Sequence, residues 1–324
     1  MNKTQTISIT GGTGHLGHCL LLKLLDQKYR VKALYNRQAP LLKHPHLTWI
    51  KGNITQANTF KEFLKDSDAL IHSAGLISIG DQSAKLVYQV NVVGTEHLIK
   101  ACLEYQVKMV YISSCTAVKE TLAHEVFKED RPYKTQNDFT YDYTKAMAEQ
   151  KVITAIKENK LSACILRPTS IIGPPDDRPS PFGKTILDLA AYKMPIVTSG
   201  GYNLVDVRDV SQTIINSLDK KLAGEVYLLS GSYVTIKEIA KIANPTKFFF
   251  KISIDLLLFL LPLIKWYDKL FGMPWPLSKE SLMTLKMAPV QMDHSKATNQ
   301  LNHQSRAPSE SILDLLSWHK KQQP

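Results

Sequence analysis

A glycine-rich turn near the start of the chain constrains the fold more than any other feature. The stretch 10–17, Thr-Gly-Gly-Thr-Gly-His-Leu-Gly, follows an apolar run at 7–9 and opens a segment whose leucines recur at helical spacing. This pattern predicts a tight turn between a buried strand and a helix. Gly12, Gly14 and Gly17 fit the dinucleotide fingerprint, in which small residues let the backbone approach a pyrophosphate at a helix N-terminus. The turn therefore predicts a nucleotide cofactor.

Strand-like and helix-like segments alternate along the first half of the chain. Short apolar runs indicate strands at 30–35, 47–50, 69–75, 107–113 and 161–166, and other segments indicate helices at 59–66, 84–105 and 137–159. Such alternation is typical of a parallel sheet with helices on both faces. We therefore predict an α/β fold with a Rossmann-type doubly wound parallel sheet over residues 1–167. A proline-rich stretch at 173–181 opens a smaller, mixed region, 168–324, which interleaves with the Rossmann core around 200–230.

The end of the second predicted strand bears on the choice of cofactor. NAD-binding proteins usually carry an acidic residue there, which binds the ribose hydroxyls. This chain has Tyr35, Asn36 and Arg37 instead. A guanidinium can pair with a 2′-phosphate, and no carboxylate is present to repel it. The sequence therefore favours NADP, with NAD as the alternative; an ordinary surface role for Arg37 is the competing interpretation.

Composition narrows the class of protein. The 324 residues are 44% hydrophobic and 21% charged, which excludes a disordered or fibrous chain. The net charge is +11, but the basic residues are scattered and no zinc-finger or RNA-recognition motif occurs, so nucleic acid is not an expected partner. The four cysteines are far apart and the histidines lack ligand spacing, so we expect reduced thiols and no metal. No secretory signal pattern precedes the first strand, which predicts a cytoplasmic location.

A strongly apolar segment runs from 248 to 264, interrupted by Lys251 and Asp255. Its uninterrupted part is shorter than the roughly 20 residues that span a bilayer. We expect a buried or cleft-lining helix; a helix that rests on a membrane surface or touches a lipidic substrate is the alternative. Basic and aromatic residues at its end keep that alternative open, namely Lys265, Trp266, Tyr267 and Lys269.

A tyrosine and a lysine four residues apart form a candidate catalytic pair. Tyr141 and Lys145 fall on one face of a predicted helix, one turn from each other. Ser113-Ser114 closes the fifth predicted strand, at the edge of the sheet where open α/β folds bind their ligands. A second pair with the same spacing, Tyr233 and Lys237, follows a Ser-Gly turn and is not expected to share one helical face.

In this order, the motifs resemble the extended short-chain dehydrogenase/reductase family, within the NAD-dependent epimerase/dehydratase superfamily, over nearly the whole chain. The motifs are the glycine turn, His72-Ser73-Ala74-Gly75, Asn91-Val92-Val93-Gly94-Thr95, Ser113-Ser114, Tyr141 with Lys145, and Leu166-Arg167-Pro168. Later stretches at 201–210, 224–231 and 293–297 are similar to the bacterial branch of dihydroflavonol 4-reductase-like proteins. Two departures occur: Asn53 replaces a common aspartate that contacts the adenine, and Cys115 follows the serine where relatives often carry a small-residue run.

The resemblance implies a catalytic set and a cofactor-binding set. Tyr141 would exchange a proton with the substrate oxygen, and Lys145 would favour the phenolate and bind the nicotinamide ribose. Ser114, which fits the spacing better than Ser113, would hold the same oxygen. The residues implied to bind the cofactor are Gly11, Thr13, Gly14, His15, Leu16, Asn36, Arg37, Asn53, Ile54, Ser73, Ala74, Gly75, Asn91, Tyr141, Lys145 and Pro168. Arg167 stands between two interpretations, a substrate contact and a structural ion pair.

Together these features predict an NADP-preferring oxidoreductase that interconverts a ketone and a secondary alcohol on a fairly apolar small molecule, such as a steroid-, flavonoid- or polyketide-like compound. Residues 168–324 would form the substrate-binding region. A nucleotide-sugar epimerase or dehydratase with tightly held NAD(P) is the rival enzyme, and a non-catalytic NADP-binding sensor is the rival from another class. The helices at 84–105 and 137–159 form a dimer interface in many relatives, so a monomer and a homodimer are both open.

Overall fold

Seven parallel strands form the central sheet of the protein, in a computed structural model that describes residues 5–37, 40–77, 83–121, 125–271 and 278–322. The strands are, in chain order, β1 (Thr6–Thr10), β2 (Arg30–Tyr35), β3 (Leu47–Lys51), β4 (Ala69–His72), β5 (Lys108–Ile112), β6 (Ala163–Pro168), β7 (Ser170–Ile172), β8 (Ile196–Thr198), β9 (Gly201–Asp206), β10 (Val226–Leu229), β11 (Ser232–Thr235) and β12 (Phe250–Ile252). The central sheet has the order β10-β6-β5-β4-β1-β2-β3, and each neighbouring pair is parallel. The predicted fold class is confirmed.

The helices connect these strands much as the periodicity predicts. They are α1 (His15–Asp26), α2 (Phe60–Leu64), α3 (Ala84–Tyr88), α4 (Gly94–Tyr105), α5 (Thr140–Asn159), α6 (Pro181–Ala190), α7 (Val207–Asn216), α8 (Ile236–Ala243), α9 (Ile254–Phe271), α10 (Lys279–Met287), α11 (Ser295–Leu301) and α12 (Pro308–Gln322). A π-helical segment, Gln89–Val93, joins α3 to α4. The helix predicted over 137–159 begins at Thr140.

Apolar helix faces cover both sides of the central sheet. On one side α1 and α7 pack together, and Leu20, Leu24 and Val210 are completely buried. On the other side α2, α4 and α5 bury Phe63 and Val152. Burial of this apolar surface is the main force that holds the helices on the sheet. Because the strands are parallel, their carboxyl ends meet at one edge, and the turns that follow them form the site described below.

The C-terminal region adds two small sheets and a third core. Strands β11, β9 and β7 form one sheet, and β12 pairs with β8. Helices α6, α8, α9, α10 and α12 pack on them around buried residues that include Ile239 and Leu282. The central sheet takes its seventh strand, β10, from this half of the chain. Tyr233 lies in β11 and Lys237 in α8, and Thr235 caps α8 between them, so the predicted separation of the second Tyr–Lys pair is confirmed.

The apolar segment 248–264 forms a strand and then a helix, rather than one buried helix. Its first residues pair with β8 as β12, because Phe250 to Ile252 find a parallel strand partner there. The helix α9 follows, with Pro262 inside it. One face of α9 is buried, but Phe259 on another face is 78% exposed, so the expectation of a buried helix holds for one face only. Among the described residues no helix is long and apolar enough to cross a membrane.

Candidate active site

The glycine turn joins β1 to α1 at the carboxyl edge of the central sheet. Gly11 has a φ of 77°, and a Cβ there would lie 2.7 Å from the Ala74 nitrogen. A Cβ on Gly17 would lie 2.0 Å from the Gly11 carbonyl oxygen, so no larger residue fits. Helix α1 begins at His15 behind Gly14, which provides no side-chain cap, and its first turn holds no acidic residue. Bare backbone and the N–H groups of this first turn therefore fit a pyrophosphate.

A buried histidine braces this turn, a role that the sequence analysis missed. His72 ends β4, and its Nδ1 and Nε2 lie 2.8 and 2.9 Å from the hydroxyl oxygens of Thr10 and Thr95. The Thr10 oxygen accepts the Ala74 N–H, and Thr95 donates to the Asn91 carbonyl. Burial lowers the pKa of His72 to about 3, so the ring is neutral. A polar residue that ends an apolar run is the only sequence signal for such a brace.

Most of the predicted cofactor-binding residues lie in turns that follow central strands. After β1 come Gly11, Thr13, Gly14, His15 and Leu16; after β2 Asn36 and Arg37; after β3 Asn53 and Ile54; after β4 Ser73, Ala74 and Gly75; and Pro168 ends β6. The side chain of His15 donates to the Gly173 carbonyl at 2.7 Å, which ties the glycine turn to the loop after β7. The sheet topology thus gathers residues that the sequence spreads over more than 150 positions.

The turns after β2 and β3 would meet the adenosine end of a dinucleotide. Asn36 and Arg37 are exposed. Within the described part of the chain, Arg37 has no ion-pair partner. Asn53 accepts the Thr55 N–H with its Oδ1 at 3.0 Å, and Ile54 is buried beside it. The exposed guanidinium of Arg37 is therefore available to an anion at the turn after β2.

Tyr141 and Ser114 come together where α5 begins and β5 ends. The Ser114 hydroxyl acts on the Tyr141 phenol by lowering its pKa, and it lies 3.0 Å from Thr116 Oγ1. Ser113 instead donates to the buried carboxylate of Glu149 at 2.5 Å. The geometry therefore favours Ser114 over Ser113 as the serine that shares a ligand oxygen with Tyr141.

The pKa of Tyr141 is raised, contrary to the expectation of a favoured phenolate. Burial is the largest cause, the charge of Asp142 adds to it, and the hydrogen bond from Ser114 partly opposes it. The ammonium of Lys145 donates to the Ile112 carbonyl at 2.7 Å rather than to the phenol. The phenol of Tyr141 is therefore protonated and a weaker acid than a free tyrosine, so proton transfer from it needs a nearby positive charge that lowers its pKa.

Lys145 is a buried cation beside the expected ribose site. Its side chain is 5% exposed, and its Nζ lies 4.9 Å from the centre of the Tyr111 ring. A Cβ on Gly75 would lie 3.9 Å from this Nζ, so the ammonium borders the turn after β4. Burial lowers the pKa of Lys145 to about 8, and the charge of Glu149 partly opposes that fall. The pKa of this lysine therefore lies much nearer to neutral pH than that of an exposed lysine.

Asn91 links the turn after β4 to the first turn of α5. It lies in the π-helical segment, a distortion that is frequent at functional sites. Its Oδ1 accepts the Leu76 N–H at 2.7 Å, and its Nδ2 donates to the Leu76 carbonyl at 3.0 Å. The same Nδ2 donates to Thr144 at 3.1 Å, and Thr144 donates to the Tyr141 carbonyl. Asn91 therefore positions the backbone around Tyr141.

Arg167 forms a structural ion pair, which decides between the two interpretations of this residue. It is 2% exposed, and it donates through Nε and Nη2 to the carboxylate of Glu149, which is completely buried. Tyr133 donates to the same carboxylate at 2.9 Å. The Arg167 Nη1 donates to the Glu129 carbonyl at 2.7 Å. Because its donors are engaged within the protein, Arg167 is a brace behind Lys145 rather than a substrate ligand.

An apolar pocket adjoins the Tyr141–Ser114 pair. Its wall includes Cys115 and Asp142, the neighbours of those two residues in the chain. Its apolar lining comes from the loops after β5, from the start of α5 and from α10 with the loop after it: Val118, Phe127, Phe139, Met283, Met287, Ala288, Pro289 and Met292. No arginine or lysine lies among the described lining residues. The described lining therefore offers none of the cations that bind a substrate pyrophosphate.

The charged groups that line the pocket are the carboxylates of Glu120 and Asp142, beside hydroxyls and the Asn203 amide. Burial raises the pKa of Asp142 to about 6, and the nearby carboxylates of Glu120 and Asp138 raise it further. A hydrogen bond from Thr116 and the charge of Lys134 partly oppose this rise. The Thr169 hydroxyl is buried and has no partner among the described residues. An anionic substrate would face unfavourable charge here, whereas a ligand hydroxyl would find partners.

Comparisons with known proteins agree with this geometry. The model of the "NAD dependent epimerase/dehydratase family" matches residues 7–230. A relative, sterol demethylase protein B of Methylococcus capsulatus, is 33% identical over 72% of each chain. The mouse 3 beta-hydroxysteroid dehydrogenase type 7 is 34% identical over 52% of this chain and 51% of its own. The crystal structure of gox2253 is 26% identical, has a TM-score of 0.85 and covers 99% of both chains.

The fold and site define a dinucleotide-dependent α/β enzyme, and the chain belongs to the NAD-dependent epimerase/dehydratase family. It is an NAD(P)-dependent oxidoreductase of the extended short-chain dehydrogenase/reductase type. The resemblance to the dihydroflavonol 4-reductase-like branch is supported too, since a candidate dihydroflavonol 4-reductase of Synechocystis sp. is 27% identical over 96% of this chain and 93% of its own.

Proposed function

We propose that the protein interconverts a ketone and a secondary alcohol on a neutral, largely apolar ring compound of the sterol or steroid class, with NADP(H) preferred to NAD(H). The observation that carries this proposal is the pocket beside Tyr141, which is lined by methionine, phenylalanine and valine and has no described cation. Relatives whose names refer to sterols and hydroxysteroids support the same substrate class.

Tyr141, Ser114 and Lys145 each have a distinct role in the proposed reaction. Bound NADP(H) would supply or accept a hydride at the carbon of the substrate that carries the oxygen. During reduction Tyr141 gives its proton to that oxygen, and during oxidation it takes the proton back. Ser114 donates a hydrogen bond to the same oxygen and fixes its distance from the tyrosine. Lys145 binds the ribose hydroxyls and offsets the charge that Tyr141 develops when it loses its proton.

A panel of substrates separates this proposal from the rival enzyme. Purified protein is incubated with NADPH and steroid or other alicyclic ketones, and separately with UDP- and GDP-sugars. We expect net NADPH consumption with ketones and no conversion of the sugars. Conversion of a nucleotide sugar without net change in the cofactor would overturn the proposal in favour of an epimerase. The pocket argues against that rival, because a diphosphate needs cations and none lies among its described lining residues.

Replacement of Tyr141 by phenylalanine tests the catalytic role and the rival sensor function. The change removes only the hydroxyl, so we expect turnover to fall by about 10²- to 10⁴-fold while NADPH affinity stays within a few-fold. Tyr143→Phe, two residues further along α5, is the matched control and retains turnover. A Tyr141→Phe protein as active as the wild type would remove this residue from the mechanism. A wild type that binds NADPH and reduces no ketone would indicate a sensor.

The preference for NADP rests on Arg37 and on the missing acid at the end of β2. A charge-assisted hydrogen bond to the 2′-phosphate predicts that Arg37→Ala weakens NADPH binding by roughly tenfold or more. NADH has no 2′-phosphate, so its binding should stay unchanged. Fluorescence titration with both cofactors measures the two dissociation constants. Equal losses for NADPH and NADH would count against this role.

A further inference from the structure

Helix α9 carries apolar side chains on two opposite faces. Ile254, Leu257 and Leu261 recur at helical spacing and are buried, the first two in the third core. On the other side of the helix, large side chains recur at the same spacing but face solvent. Their exposed fractions are 50% for Leu256, 78% for Phe259, 63% for Leu263 and 65% for Trp266. A surface helix normally has one apolar stripe, so the outward stripe requires an occupant.

The segment that leads into α9 also exposes large apolar side chains. Phe248 and Phe250 are 64% and 61% exposed, and their rings meet edge to face at 4.9 Å. Ile196, the β8 partner of Phe250, is 51% exposed. We call these three residues and the four outward residues of α9 the apolar platform. So many large exposed side chains in one stretch of chain exceed what scattered surface residues explain.

Positive charge accompanies the apolar platform. Lys247 and Lys251 are exposed in the same segment, next to Phe248 and Phe250 in the chain. The acidic residue of this segment, Asp255, is already paired with Lys286 at 2.5 Å. The side chains of Lys265, Tyr267 and Lys269, which the sequence analysis singled out, lie outside the described residues. The described charges therefore leave a net positive rim.

We propose that the apolar platform docks on the surface of an anionic lipid bilayer. Because the inner face of α9 is packed in the core, the helix stays on the protein and lies along the membrane surface. Tryptophan, phenylalanine and leucine beside lysine are the composition of interfacial helices, whereas protein interfaces are depleted in lysine. Each lysine near an anionic surface adds attraction. The charge around the platform thus favours lipid over a second copy of the chain.

The platform is connected to the substrate pocket by one helix. α10 packs against α9, and its Met283 and Met287 line the pocket. An apolar substrate dissolved in the bilayer would therefore have a short route to Tyr141. This route rests on the proposed function, whereas membrane docking does not. Vesicle binding needs neither substrate nor turnover, so the failure of one proposal can be told from the failure of the other.

Vesicle sedimentation of the full chain tests the docking. Vesicles of phosphatidylcholine alone are compared with vesicles that also contain phosphatidylglycerol. We expect the wild type to sediment with the anionic vesicles, and salt to weaken this binding because the surface potential is screened. A Phe259→Glu, Leu263→Glu double variant should bind at least tenfold less, since two exposed apolar side chains become anions. Lys247→Glu with Lys251→Glu should lower the binding by roughly 30-fold or more.

A control variant separates the platform from a general loss of apolar surface. Leu41 is 94% exposed in the loop before β3, in the N-terminal half, and Leu41→Glu should bind vesicles as the wild type does. Thermal melts and NADPH titration check that every variant is folded. Wild-type protein that stays in the supernatant with both kinds of vesicle would overturn the proposal. A dimer that Phe259→Glu abolishes, without any vesicle binding, would assign the platform to a second copy of the chain.

Discussion

Replacement of Lys145 by methionine should change how the stability of the cofactor-free protein depends on pH. In the folded protein burial lowers the pKa of this lysine from 10.5 to about 8, whereas in the unfolded chain it returns to its ordinary value. Between these two pH values the unfolded chain holds a proton that the folded chain has lost. The free energy of unfolding of the wild type therefore rises with pH across that window. Methionine has no proton to lose.

The magnitude follows from the fall in pKa. A fall from 10.5 to about 8 corresponds to about 3 kcal/mol of charge burial near neutral pH. We therefore expect the stability of the wild type, relative to Lys145→Met, to increase by about 3 kcal/mol from about pH 7 to about pH 11. The variant also loses the hydrogen bond to the Ile112 carbonyl, and this loss lowers its stability by the same amount at pH 7 and at pH 11.

Urea denaturation of both proteins at a series of pH values measures this difference. Other groups titrate in both proteins alike, so they cancel in the comparison. A difference that is independent of pH, or that falls as pH rises, would refute the reasoning, because Lys145 would then not be a desolvated cation. The functional meaning is that the fold holds a charged lysine beside the turn after β4, where we propose that the ribose binds, at a cost in stability.

Three more predictions follow from the same geometry. Arg167→Met should lower stability by about 3–5 kcal/mol, because the carboxylate of Glu149 remains buried without its cation, and adding Glu149→Leu should restore most of the loss in thermal melts; an additive double variant would contradict the pairing. Gly17→Ala should abolish measurable NADPH binding, since its Cβ would overlap the Gly11 carbonyl, and wild-type affinity would contradict the assignment of this turn. Asp142→Asn should lower the KM for a carboxylate-bearing ketone by roughly tenfold and leave a neutral ketone unaffected. In the wild type this discrimination should weaken as pH falls through about 6, where Asp142 gains a proton, and a KM that ignores pH would contradict it.

The comparison of sequence and structure shows which parts of the site are local. Tyr141 and Lys145 share one face of α5, as their spacing predicts. Residues four apart lie one turn from each other in any α-helix, so this placement depends only on local geometry. The sequence already favoured Ser114 over Ser113, and the structure adds a physical reason, because Ser113 donates to Glu149, 36 residues further along the chain. The raised pKa of Tyr141 escaped the sequence analysis, because desolvation depends on everything packed around the phenol.

The sequence by itself determined the order of strands and helices in the first half of the chain. Its glycine turn, its alternating apolar runs and its Tyr–Lys spacing predict these elements, because such patterns follow from backbone sterics and helical periodicity. The class of enzyme followed from the resemblance that the ordered motifs carry. Only the tertiary structure decided that Arg167 forms a structural ion pair with Glu149. It also decided that Asp142 lines the pocket, that no cation lies among the described lining residues, and that the outward apolar face of α9 is exposed to solvent. Each of these depends on which distant segments pack together and how much water they exclude, and a one-dimensional pattern does not contain that information.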